Sequence, residues 1–363
     1  MSSIPYQAPW PLNHGLLMTI HTGLWAGKNW QATLNEPEPT YQETIFTGAQ
    51  GIPIFGLVAI PPNPKGTIIG TYGITGDLEN QWFLRIMGRK AYAQGYAVVL
   101  YDWRAHGKTA QLSPTLTSDG LYEGEDFVRI AAAAKAMGCP ASFWFTAFSL
   151  GGLLALWGVN AAQDLPAWGP NLDLTPDDIG GCAVICPALE SLRSLQYLVK
   201  APIGKYLEKS ITRKLKLLLH DLQEAHPGEF DPAAAARVHS IWSFDHEMVI
   251  GRLGFQSVAD YYRATSGLYL LPALKKPTLI LYAADDPLFD PTLVPDIQEQ
   301  CAANPAIDLI MTAQGGHVGY ISSAACQQTI QDPDCWWAWN RVLDWCNAQT
   351  ASTQPMSLAV DRV

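Results

Sequence analysis

Charge is scarce in this chain, and basic charge scarcest. Only 15% of the 363 residues are charged, and 33 acidic residues against 23 basic ones leave a net charge of −10. No cluster of Lys and Arg with interleaved aromatics occurs, which argues against a nucleic-acid partner, since phosphate binding needs a basic patch. Long apolar runs are also missing. Gly15 to Trp25 is apolar but contains His21 and is too short to span a bilayer. No integral membrane segment is therefore expected. The N-terminus lacks a basic region followed by an apolar run, so it does not read as a secretory signal. The seven cysteines form no zinc-type pair of doublets. Cys182 and Cys186 flank Ala-Val-Ile in an expected strand and should face one side as buried thiols. An odd, scattered set suggests a reducing compartment, and a cytoplasmic location is expected. His220, His226, His239 and His246 do not have the spacing of ligands on one helix face. Neither a metal nor an organic cofactor is expected. There is no internal repeat and no low-complexity tract.

What is present is a large apolar fraction, 48%, enough for a sizeable buried core. The organising stretch is Phe143 to Gly152, Phe-Trp-Phe-Thr-Ala-Phe-Ser-Leu-Gly-Gly. An aromatic and β-branched run stops at Ser149, small residues follow, and Leu153 to Trp157 read as a helix. Strand, sharp turn with a serine at its tip, then helix is the pattern of a nucleophile elbow. The usual Gly-x-Ser-x-Gly is here Ala147-Phe148-Ser149-Leu150-Gly151. Small residues matter because bulk two places either side of the serine would clash where strand and helix meet. The alternative is a serine in an ordinary strand-to-helix turn, and the context decides between them.

That context is an alternation of apolar strands and helices, expected to form an α/β fold with a mostly parallel sheet. Strands are expected at 41–47, 52–60, 67–72, 96–101, 143–148, 181–186, 277–282 and 306–312. Residues 1–40, rich in Pro and Trp, read as an irregular arm. The core is expected over 41–187 and 272–348, with an inserted helical cap at 188–271 and a loose tail at 349–363. Within the cap, 192–222 reads as one long amphipathic helix, basic in its middle, and 232–240 and 255–264 as further helices. The basic run is read as a solvated helix face rather than an anion site.

A neutral serine hydroxyl needs a base within hydrogen-bond reach and a third group to orient that base. Sites in open α/β sheets gather at the carboxyl ends of strands. Three such ends carry Ser149, the Asp285-Asp286 pair and His317, in the chain order Ser, Asp, His. His317 is the expected general base. Asp286 is preferred to Asp285 as its partner, because it sits further into the loop and Pro287 fixes the turn. An Asp-Pro pair that merely caps the following turn is the competing reading. Two N–H donors for a developing oxyanion are expected from Leu150 and from Ile74, which follows Gly73 in the loop after the 67–72 strand. A rival constellation is Asp102-Trp103-Arg104-Ala105-His106. Asp102 and Arg104 are read as fixing their loop by ion pairing, with His106 structural.

These residues resemble the YheT-like family of α/β hydrolases. The resemblance runs through Gly73-Ile74-Thr75-Gly76, the loop 102–109, Phe148 to Gly152, Ser243-Phe244-Asp245, Asp260-Tyr261-Tyr262-Arg263, Asp285-Asp286-Pro287 and Gly315-Gly316-His317-Val318-Gly319. It implies the α/β-hydrolase fold, a set of Ser149, Asp286 and His317, and hydrolysis of carboxylic esters, short-acyl or lipid-like. Two positions depart from the family pattern: Tyr72 stands where histidine is usual, and Ala147 where glycine is usual. Acyl transfer by the same residues and a non-catalytic binding scaffold are the alternative functions.

Overall fold

In a computed structural model, which describes residues 5–353, eight strands form one sheet in the order β1-β2-β4-β3-β5-β6-β7-β8. They are β1 (Gln42–Thr47), β2 (Pro53–Ala59), β3 (Gly66–Thr71), β4 (Tyr96–Tyr101), β5 (Phe143–Phe148), β6 (Ile179–Ile185), β7 (Thr278–Ala283) and β8 (Ile307–Thr312). β1, β2 and β4 pair antiparallel, and every later pairing is parallel. Every residue of β3, β4, β5 and β7 is buried, because helices cover both faces of the sheet. The outer strands β1 and β8 are partly exposed, as sheet edges must be. Reversal of strand order about β3 and β5 opens a crevice at their carboxyl ends, the place where ligands bind in such sheets.

The helices Glu123–Ala136 and Leu150–Gln163 pack on each other, as do Trp82–Ala93 and Trp337–Thr353. The last of these begins with Trp337 and Trp339, both fully buried. Residues 349–353 continue this helix, unlike the loose tail expected from 349 onward. The rest of that tail, like residues 1–4 of the arm, lies outside the described residues.

Between β6 and β7 the chain is helical and builds a second apolar cluster around Leu215, Leu219, Leu222, Phe230, Phe244 and Tyr261. The single helix expected over 192–222 is two, Ser191–Leu198 and Pro202–Ala225. Proline disfavours helical geometry in the residue before it, and Pro202 sits well at the first turn of the second helix. The helix expected over 232–240 ends at Ala236. The arm also differs from expectation. Instead of running irregularly, residues 15–33 coil as short helical pieces, Gly15–His21, Thr22–Ala26, Gly27–Asn29 and Trp30–Thr33.

Candidate active site

Ser149 follows the last residue of β5 and has φ 56° and ψ −131°, a region that non-glycine residues avoid. Such a backbone costs on the order of 1–3 kcal/mol and persists only where surroundings enforce it. Here the Ser149 N–H donates to Ile185 O at 3.0 Å, and Ser149 O accepts from Gly152 N at 3.0 Å and Ala188 N at 3.1 Å. The neighbouring small residues have a measurable reason. A Cβ on Gly151 would come within 2.3 Å of Tyr72 O, and one on Gly73 within 2.9 Å of the Ser149 Cβ. Ala147, two places before the serine, is buried in β5 opposite Thr71 and Val184.

The Ser149 hydroxyl lies 2.9 Å from His317 Nε2, and His317 Nδ1 lies 2.8 Å from Asp286 Oδ2. The network assigns the proton on Nδ1 as donated to the carboxylate, which leaves the Nε2 lone pair facing the serine. Asp286 is nearly sealed from water, its side chain 1% exposed against 13% for His317. Its other oxygen accepts from Leu288 N at 2.9 Å, so one carboxylate both caps its turn and orients the imidazole. Asp285 goes elsewhere: its Oδ1 accepts from Gly316 N at 2.9 Å. Burial holds the Asp285 carboxyl above the usual carboxylate range. Gly315 and Gly316, with φ of 153° and 61°, take conformations that side chains resist just before His317.

One participant had no signal in the sequence. Thr19, in the arm, accepts through Oγ1 from the His317 backbone N–H at 2.8 Å and donates to Gly15 O at 2.8 Å. A Cβ on Gly316 would meet Gly15 O at 2.5 Å. The arm therefore packs directly behind the histidine loop.

The 102–108 loop is the second surprise. Arg104 does not pair with Asp102. It makes a two-toothed ion pair with buried Asp126, at 2.7 and 2.9 Å. Asp102 instead accepts from the Tyr72 hydroxyl at 2.5 Å, Leu78 N at 2.9 Å and Lys108 N at 2.8 Å. Burial pushes its carboxyl up to about 6 against those donors. His106 Nε2 accepts from Thr75 N at 3.0 Å while Nδ1–H donates to Arg104 O at 2.8 Å. Burial brings His106 down to about 4, so it stays neutral, stacked on Trp103. Tyr72, Asp102 and His106 thus tie down the loop carrying Gly73 and Ile74 beside Ser149.

Ser149, Ile74 and Leu150 line one cavity of about 140 Å³, shared with His106, Leu195, Leu198, Ile211, Leu215 and Leu218. Asp119 and Asp245 also face it, and the Tyr262 hydroxyl donates to Asp245. The cap histidines are dispersed: His226 Nε2 bonds Ala110 O, His239 Nδ1 bonds Arg237 O, and His220 lies by Glu224.

A mostly parallel sheet with a strained serine, a histidine and an aspartate at its strand ends defines a class, and comparison with known proteins agrees. The chain belongs to the alpha/beta hydrolase family, whose model matches residues 76–329, and it is a hydrolase of that fold. Within the family it is 52% identical over 353 residues to a protein of Synechocystis sp. named "Putative esterase slr0264", covering 95% of each chain. It is 29% identical over 202 residues to "Putative esterase YheT" of Escherichia coli, covering 54% of this chain and 53% of that one. The YheT-like resemblance carried by the motifs therefore holds. "Phospholipase ABHD3" of Mus musculus is 25% identical over 263 residues, 72% of this chain and 60% of that protein. Among solved structures, the esterase Pf2001 of Pyrococcus furiosus superposes with a TM-score of 0.53 over 86% of this chain and 93% of its own. At 16% identity that match shows the fold alone. Among the described residues no helix is long and apolar enough to cross a membrane.

Proposed function

We propose that this protein is a serine esterase that cleaves carboxylic esters through an acyl-enzyme. The observation that carries the reading is the unbroken relay from Asp286 through His317 to Ser149 at the wall of an apolar cavity. Ser149 Oγ attacks the ester carbonyl carbon as His317 Nε2 takes its proton. The carbonyl electron pair moves onto oxygen, where the N–H groups of Leu150 and Ile74 receive the charge. The adduct collapses, the bond to the alcohol breaks, and Nε2 returns the proton to the departing oxygen. Water then repeats the sequence on the acyl-serine, releasing the acid and freeing Ser149. Asp286 stabilises the imidazolium formed in each half.

Residues 41–187 and 272–348 serve in this reading as the hydrolase core, 1–40 as an arm and 188–271 as a cap whose Leu195, Leu198, Ile211 and Leu215 receive an apolar acyl chain. The names of the relatives, two esterases and a phospholipase, support ester or lipid-like substrates. No nucleic-acid partner is invoked for a chain of net charge −10. A cytoplasmic location fits seven cysteines that are all free and mostly buried. The test is labelling of the purified protein by a fluorophosphonate. Wild type labels and Ser149→Ala does not. Equal labelling of both, or none of a folded wild type, overturns the reading.

A further inference from the structure

The helical arm carries a face that its role behind His317 does not explain. Its inward side, Gly15, Met18 and Thr22, is buried. Its outward side presents Leu17, Ile20 and Leu24 at helical spacing, with Trp25 beside them 62% exposed. Four large apolar side chains in nine residues are left in water. No acidic residue precedes Glu36 in a chain of net charge −10.

A second helix repeats this combination. The outer side of Pro202–Ala225 exposes Ile203, Tyr206 and Leu217 together with Lys205, Lys209, Arg213, Lys214 and Lys216. The one acid between residues 202 and 216, Glu208, is turned inward, where it bonds Thr212 Oγ1 and Ile241 N. The outward face over residues 202–216 thus carries cations and apolar groups and no acid; Asp221 and Glu224 follow only near the end of the helix. The two helices border one groove of about 850 Å³, lined by Gly23 of the arm and by Lys214, Leu217 and Leu218 of the cap, with the carboxylates Glu38, Glu43, Asp77, Glu79 and Asp221 inside it. Leu218 and Ala105 line the Ser149 cavity as well, so groove and cavity adjoin.

We infer that these two helix faces dock the protein on an anionic lipid surface, the arm inserting its Leu and Trp side chains and the cap helix contributing its cations. Exposed apolar side chains flanked by Lys and Arg on a helix, without intervening acids, are what the boundary layer of an anionic bilayer attracts. Tryptophan suits that layer because its ring is apolar and its N–H polar. A second copy of this chain fits less well, because five cations on one face would meet their own kind or a surface bearing the chain's excess acid. The inference concerns binding alone and stands whether or not Ser149 is a nucleophile.

The test is co-sedimentation with large unilamellar vesicles of phosphatidylcholine, with and without about 30% phosphatidylglycerol, at low and high salt. Wild type, Leu24→Gln/Trp25→Gln and Lys209→Glu/Arg213→Glu are compared, with circular dichroism confirming folding and light scattering giving the oligomeric state. Wild type should partition onto phosphatidylglycerol vesicles and be released by salt. The Lys209/Arg213 variant should lose that preference, by about fivefold or more per cation changed. The Leu24/Trp25 variant should bind about tenfold or more weakly at either composition. Wild type remaining in the supernatant with both vesicles overturns the inference, as do folded variants that bind like wild type. Leu24/Trp25 substitution that turns a dimer into a monomer without changing sedimentation would assign the face to a second copy instead.

Discussion

Two histidines stand at the same cavity, His106 on its wall and His317 behind Ser149, and their surroundings are opposite. His317 has one nitrogen on a carboxylate and the other on a serine hydroxyl. His106 has one nitrogen on a backbone carbonyl and the other on a backbone N–H. The first is arranged to accept a proton and be stabilised once charged. The second has spent its lone pair on Thr75 and sits stacked on Trp103, where burial keeps it neutral. Proximity to a cavity does not make a base. What separates the two is whether the acceptor nitrogen faces a group that can give up a proton, and whether a carboxylate stands behind it.

The largest effects should break this comparison or keep it. His317→Ala should cut kcat/KM for a short ester by about 10⁴-fold or more. His106→Gln should cost about tenfold through the displaced Gly73–Thr75 loop, with the pH profile of kcat unchanged. Equal losses in the two variants would erase the distinction drawn here. A smaller effect is expected from Thr19→Val, which keeps the shape and removes the acceptor for the His317 N–H. Steady-state kinetics should show kcat several-fold lower and KM nearly constant, since the loss of about 1 kcal/mol or more falls on the placement of the base. An unchanged kcat would reduce the arm to packing.

The smallest effect concerns another ionisable group on the cavity wall, Asp119, and it appears in stability. Burial, with the field of Glu123 added, pushes the Asp119 carboxyl up to about 7. The folded protein therefore holds this proton to about pH 7, while the unfolded chain releases it near 4. Folding loses stability as pH rises between those values. Asp119→Asn, a permanent mimic of the protonated form, should melt a few degrees above wild type at pH 8, with the gap closing toward pH 4. A constant gap across that range would contradict the assignment.

The central strands were legible because a strand buried on both faces is a continuous apolar run, and 96–101 and 143–148 begin and end where the sequence places them. The serine turn was legible because its small neighbours answer steric demands made within a few residues. The pairing of Tyr72 with Asp102 follows from strand register, which residue types alone do not reveal. β3 and β4 run parallel with Gly70 opposite Leu100, so two residues on, Tyr72 falls beside Asp102. Position, rather than residue type, carried that information. Pro202 likewise announced the break in the cap helix. Thr19 had no such signal. Nothing local distinguishes it from other threonines, and its partner is 298 residues away.

That separation has a consequence for how the molecule is made. The His317 loop rests on a segment near the start of the chain, yet it emerges after every strand of the sheet. A nascent polypeptide can therefore hold its elbow serine and much of its sheet for most of synthesis without an assembled site. Closing so long a loop costs entropy that only the finished core can repay. In the proposed reading, reactivity is set late in folding, when the first helix and the His317 loop meet.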